Sequence, residues 1–255
     1  PGWNQKWRKP LREALDYLRD ELSIIFEKEG EKYFKEDPWT VRNKYIDVIL
    51  DRTERVIKHF QDEYFLPELS DEEKVCGMEL LEIQRQAMLM YTSCGWFFSE
   101  ISGIETTQIM KYAARAMQLA ENYTTKDLES KFLDILSNAQ SNFKEYGNGK
   151  NIYERFVKPS IVTLKQIASL WAISSLYEDF DDEQDVYCYK ITRKSYKKVQ
   201  KSNMNFVVGH IEVLSKVTLK KSDLMFVLMQ YQGGEDRKST RLNSSHSRAS
   251  RMPSS

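Results

Sequence analysis

The sequence predicts a mainly α protein: a helical bundle of about six helices, then a small, incomplete antiparallel β-sheet, then a disordered C-terminal tail. Three observations carry this expectation. Apolar residues recur at helical spacing through most of the first 180 residues. After Asp185 the pattern changes to short runs rich in β-branched and aromatic residues. From Glu235 the chain turns to Ser and Arg, with too little apolar matter to bury a core. The expected divisions are a bundle over 1–180, a β segment over 185–232 and a tail over 235–255.

Taken in order, Leu11, Leu15, Leu18, Leu22, Ile25 and Phe26 predict a helix over 10–29, with Pro10 in its first turn and Gly30 as its stop. Asp37-Pro38 is a cap followed by a first-turn proline. It opens a second helix through Val41, Tyr45, Val48, Ile49, Val56 and Phe60, ending before Pro67. In Ser70-Asp71-Glu72-Glu73 the Ser70 hydroxyl caps a third helix and Glu73 returns the bond. This helix is expected over 71–98, and from Ala87 onward it is apolar nearly all round. A helix without a wet face belongs inside the protein. Thr92, Ser93 and Cys94 interrupt the run, Gly95 weakens the helix, and Trp96 follows. Buried polar groups need partners, so this point holds either an internal hydrogen-bond network or a ligand.

Ile109, Ala113, Ala116, Met117 and Ala120 place a fourth helix over 105–123. Thr125 caps a fifth through Leu128, Phe132, Leu133 and Leu136, broken by Gly147-Asn148-Gly149. A long helix over 152–177 is kinked or restarted at Lys158-Pro159. The acidic cluster Glu178, Asp179, Asp181, Asp182, Glu183 and Asp185 lacks the ligand–Gly–Glu pattern of a calcium loop, so a solvated linker is expected ahead of a metal site. The runs 186–191, 206–213 and 225–229 read as antiparallel strands.

At 255 residues the chain makes one large domain or two small ones. Its formal charge of zero is uneven. Arg237, Lys238, Arg241, Arg248 and Arg251 stand in a stretch without acids, leaving −5 on the remainder. That balance gives no reason to expect nucleic acid as a partner. No apolar run approaches the ~20 residues needed to span a bilayer. Cys76, Cys94 and Cys188 are too few for a disulfide framework or zinc site, so reduced thiols in a cytoplasmic protein are expected. The segment from Arg237 resembles a translated sequencing-adapter or cloning remnant; a natural basic tail is the alternative. With Pro1 at the start, an internal fragment of a longer protein is the expectation.

No Gly-rich phosphate cradle, His-x-x-x-His pair or nucleophile elbow is present, and three histidines leave little for a metal or triad. No metal or other cofactor is expected. Near the Gln84–Phe98 run the available carboxylates are Glu100 and Glu105, and Glu105 at a helix head suits the helix dipole. Among the tryptophans, Trp171 reads as core and Trp39 as a packing anchor. Trp96 stands among polar neighbours, while Trp3 and Trp7 flank Asn4, Gln5 and Arg8, a mixture suited to sugar hydroxyls and flat sugar faces.

The segment from Leu80 to Phe98, with its Leu and Gln leading into Trp96-Phe97, resembles the helical conserved region of glycoside hydrolase family 57. The wider chain, from Pro1-Gly2-Trp3-Asn4-Gln5-Lys6-Trp7-Arg8 through Cys94-Gly95-Trp96-Phe97-Phe98-Ser99-Glu100 to Tyr187-Cys188-Tyr189, is similar to the uncharacterised domain that follows a family-57-type barrel in bacterial amylase- or mannosidase-like proteins. It departs from many family members at Gly95, where they carry Asp, so that residue's role cannot be carried over. The resemblance implies a non-catalytic helical portion of a family-57-like glycoside hydrolase or glucanotransferase. The nucleophile and acid would lie on a barrel preceding Pro1, and no catalytic residue is expected in this chain. The implied partners are that barrel, in the same longer polypeptide, and an α-glycan or other carbohydrate. Trp96, Ser93, Glu100, Trp3, Asn4, Trp7 and Arg8 are the candidate substrate contacts. The alternative is a helical scaffold or interaction module without a carbohydrate role.

Overall fold

The computed structural model describes residues 3–201, 203–231 and 238–244, and the chain divides into two units, residues 1–161 and 162–255. The protein is mixed α/β. The expected boundary near residue 180 is thus corrected to 161/162. Its cause is α10 (Leu164–Ser174), whose Ile167, Ala168, Trp171 and Ala172 share a core with the strands that follow. A helix with one apolar face joins whichever unit buries that face.

In the first unit, α1 (Arg8–Gly30) buries Leu11, Leu15, Leu18, Leu22 and Phe26 along one stripe, as its spacing predicts. The expected second helix is three pieces instead: α2 (Pro38–Lys44), α3 (Ile46–Leu50) and α4 (Glu54–Tyr64). Asp51 breaks it by leaving helical geometry and accepting the Thr53 N–H at 2.9 Å. That local bond competes with the helix's own. α5 (Asp71–Leu89) begins on the expected capping box, with both Ser70 and Glu73 bonds formed. It stops nine residues before its sequence pattern does, and α6 (Cys94–Phe97) is a separate turn.

The apolar run from Ala87 is therefore not an interior helix. Met88, Phe97 and Phe98 are exposed, while the fully buried stretch of α5 is Gly77–Gln84, which includes Glu79 and Glu82. Gly95 has a packing role. A side chain there would meet Ile109 at 2.6 Å, so glycine lets α6 lie against α7 (Ile104–Ala120). The buried Thr106 hydroxyl donates to the Gly95 carbonyl at 2.8 Å, tying the same contact.

Asp127, not Thr125, caps α8 (Leu128–Leu136), because its carboxylate reaches the Ser130 N–H at 3.0 Å. The expected long helix over 152–177 is broken. After α9 (Gly149–Ile152) the chain widens into a π turn, Tyr153–Val157, and tightens into a 3₁₀ turn around Pro159. It restarts at Thr163, which caps α10 in a second capping box with Gln166. Proline has no N–H for the helical ladder, and this break separates the two units.

The second unit is an antiparallel meander in the order β1 (Glu183–Val186), β2 (Tyr189–Lys201), β3 (Met204–Ser215), β4 (Lys221–Tyr231) and β5 (Lys238–Ser244). Two expectations are corrected. The acidic linker is partly strand: β1 takes up Glu183 and Asp185, with Lys190 and Lys216 as ion-pair partners. Within the expected disordered tail, residues 238–244 pair with β4, since ladder bonds use the backbone and an edge strand needs little apolar matter. Residues 235–237 and 245–255 of that tail lie outside the described residues. α10 covers one face of the sheet, with Trp171 edge-on to Phe226 and its indole N–H donated to Gln184 at 2.8 Å. The Phe226 ring fills the space over Gly209 on the neighbouring strand.

Candidate functional site: an aromatic end on a polar frame

Three separated segments of the first unit meet at one place: the lead into α1, the bend over 96–102 and the loop over 138–148. Glu100 is the knot. It is 6% exposed and accepts from the Ser141 hydroxyl at 2.6 Å, the Asn142 N–H at 2.9 Å and the Ser102 N–H at 3.2 Å. Such bonds to a charged acceptor are stronger than neutral ones. The next carbonyl, Ser99, accepts from the Trp7 indole at 3.1 Å and the Asn142 side chain at 2.9 Å. Asn4 and Asn142 bond each other reciprocally through side chain and backbone. Arg8 donates to the carbonyls of Phe97 and Phe98 at 3.4 and 3.3 Å.

This frame sorts the seven candidate contacts. Trp7 is 0% exposed, with its one donor engaged, and is a core residue. Glu100, also among the candidates, braces the bend, with three donors on its oxygens behind the surface. Arg8 and Asn4 hold backbone to backbone. Trp3 remains open, 56% exposed and edge-on to Phe143 at 5.0 Å. Ser93 is exposed at the start of α6. The Trp96 ring is half-buried with the Arg12 guanidinium 5.8 Å from its centre. Its indole N–H is out of solvent without an acceptor, as is the Arg8 Nε–H. Orphaned donors of this kind are rare in folded proteins.

Phe97 and Phe98, the adjacent pair, are open as well, at 77% and 48% exposed, and meet edge to face at 5.2 Å. The aromatic series continues from Trp3 and Phe143 to Tyr146 and Phe156, with the Arg155 guanidinium over the last two. The polar trio at Thr92–Cys94 is not buried, and Thr92 returns its hydroxyl to the Leu89 carbonyl at 3.0 Å, finishing α5. Glu105 sits in the first turn of α7, where the dipole favours it.

Sequence reasoning missed the loop over 138–148, whose Ser141 and Asn142 carry no motif and acquire their role only from Glu100. It also missed the buried carboxylates of α5. Glu82, 1% exposed, accepts from Tyr45 and Arg52 at 2.6 Å each, and from Arg85 at 3.4 Å. Glu79 accepts from the Tyr123 hydroxyl at 2.9 Å. Burial and the adjacent carboxylates push the phenols of Tyr45 and Tyr123 above their ordinary range. These groups are matched donor to acceptor and lie inside the helices. Among the described residues no cluster of His, Cys, Asp and Glu could hold a metal ion, and no helix is long and apolar enough to cross a membrane.

Fold and site together define a mixed α/β domain with an exposed aromatic end on its helical unit. More particularly, the chain belongs to the family described as a domain of unknown function (DUF3536), whose model matches residues 3–253. No curated protein and no solved structure matches the chain.

Proposed function

We propose that this chain is the non-catalytic helical portion of a family-57-like glycoside hydrolase or glucanotransferase, with its aromatic end against the barrel and the glycan. The observation that supports this reading is the exposure of Trp3, Phe97 and Phe98 on a frame immobilised by Glu100. Rings fixed beforehand bury the apolar C–H faces of sugars at little entropic cost. The contact set thus narrows to Trp3, Phe97 and Phe98, with Ser93 and the Trp96 edge beside them. The family's catalytic acid and nucleophile belong to the barrel in this reading, and the chain itself hydrolyses nothing.

A second reading is favoured by one observation: Trp7, Arg8, Asn4 and Glu100 spend their polar groups on the protein itself. The aromatic end is then an apolar protein contact, and the chain is a scaffold. Titration calorimetry with maltoheptaose separates the two. The carbohydrate reading expects saturable binding, weakened on the order of tenfold by Phe97→Ala or Trp3→Ala, the loss typical of a contact aromatic. Absence of saturation, with the variants still folded, leaves the scaffold reading.

A further inference from the structure

β2 is much longer than the strand beside it. β1 covers only Tyr189 to Thr192, and the Arg193 N–H is taken by the Asp182 carbonyl at 2.7 Å. From Ser195 to Lys201, past a bulge at Lys194, β2 pairs with β3 on one side, and among the described residues no backbone partner lies on the other. Lys194, Ser195, Lys197, Lys198, Val199 and Gln200 are all exposed. This is an open strand edge, a template for another extended chain.

The side chains along it say which chain. On the sheet face away from α10, register places Lys197 beside Val208 and Val227, and Val199 beside Phe206 and Met229. Val199, Val208, Val227 and Met229 are exposed, so an apolar row runs up to the open edge. Lys198 points to the covered face, where its ammonium donates to the Leu176 carbonyl at 3.0 Å. The β2 stretch past Arg193 carries Lys194, Lys197, Lys198 and Lys201 and no acid, and Lys194 already draws Glu212 to 3.7 Å. A second copy of this edge would bring one lysine-rich stretch against another with no acid on either, and like charges across a strand pair are unfavourable. An acidic strand meets the opposite situation. Its carboxylates lie opposite the lysines and its apolar residues extend the Val199–Phe206–Met229 row.

We propose that the open edge of β2 is a docking site for an extended acidic segment of a partner polypeptide, which adds to the sheet as a further strand. The partner carries an acid opposite Lys197 and, two residues along on the same face, an apolar residue opposite Val199. Backbone bonds supply the affinity and the alternating side chains the selectivity. Lysines on an edge also discourage indiscriminate strand addition, and here they do both: they reject neutral and basic strands and admit an acidic one.

The test uses the full chain, isotope-labelled, with three synthetic peptides of about nine residues, the usual strand length. One, the Glu–Val peptide, repeats Glu-Thr-Val-Thr so that Glu and Val follow each other on one face; one, the Lys–Val peptide, has Lys for each Glu; and one is the Glu–Val peptide methylated on alternate backbone nitrogens. The Glu–Val peptide is expected to slow amide exchange within 194–200 and to weaken with added salt. Lys197→Glu, an exposed change, is expected to loosen it on the order of tenfold, since it turns an attractive cross-strand pair into a repulsive one. The Lys–Val and methylated peptides are expected to give no protection. Equal binding of the Glu and Lys peptides, undiminished binding of the methylated one, or no protection of 194–200 at millimolar Glu–Val peptide would overturn the proposal.

Discussion

Two stretches of the same sequence run, the middle of α5 and the bend that follows it, reverse the usual sorting of residues. Between Gly77 and Gln84 the helix buries Glu79, Glu82 and Gln84. A few residues later, Met88, Phe97 and Phe98 face solvent. The difference lies in partners. Glu82 is matched by Tyr45, Arg52 and Arg85, and the Gln84 amide donates to the Leu22 carbonyl at 3.1 Å. Burial is tolerated where every charge is answered. The aromatic bend is held from behind, through its carbonyls and Glu100, so its rings contribute little to holding the fold. Polar residues inside and apolar residues outside thus have opposite meanings here: the first is internal cement, the second an open contact surface.

The comparison breaks first, and by the largest effect, at Glu82. Glu82→Ala leaves Arg52 and Tyr45 without their acceptor and should destabilise the chain by ~3–5 kcal/mol, the scale for stripping one member of a buried ion pair. Denaturant unfolding measures it. A loss below ~1 kcal/mol would mean the carboxylate is hydrated rather than buried. Gly95→Ala comes next. Its new methyl group meets Ile109 at 2.6 Å, so a loss of ~1–3 kcal/mol is expected from overpacking, and the paired Ile109→Ala change should return part of it. Recovery absent in the double variant would place the strain elsewhere.

A smaller effect concerns acid. Bonds to the Ser70 N–H and hydroxyl hold the Glu73 carboxyl below its ordinary range, and bonds to Ser130 do the same for Asp127. A carboxyl with a depressed folded-state pKa binds its proton more readily when unfolded. Its contribution is therefore complete above the ordinary carboxyl pKa and is lost as pH falls through the lower folded-state value. Thermal melts from pH 6 downward should show a modest decline that is shallower in Glu73→Gln and Asp127→Asn. Both groups are exposed, so identical slopes in wild type and variants would remove the caps from the account.

Much of the helical scaffold was legible because its signals are local. The Ser70–Glu73 box, the Asp37-Pro38 start and the Leu11-to-Phe26 stripe each depend on residues within a turn or two, and the structure keeps them. What was not legible depends on distant partners. Thr92–Cys94 and Gly95 mark an interruption of the third helix, but not that the chain turns there to bring Gly95 against Ile109, which is on another helix. Glu100 read as a candidate substrate contact, and its bracing role stayed hidden because Ser141 and Asn142 are about forty residues away. Trp171 was correctly read as core from its neighbours, yet its core is the sheet rather than the bundle. In the site, residue types were legible and their orientation was not. Trp7 and Trp3 share a sequence neighbourhood, but one is buried and the other open.

The most direct measurement is the unfolding free energy of Phe97→Ser/Phe98→Ser, recorded with binding of a hydrophobic dye. If the bend is an open contact surface, the double change leaves stability within ~1 kcal/mol of wild type, twice the usual range for one surface substitution, and lowers dye binding. A loss of several kcal/mol, the signature of emptied core positions, with dye binding raised, would contradict the account and return this aromatic pair to the interior.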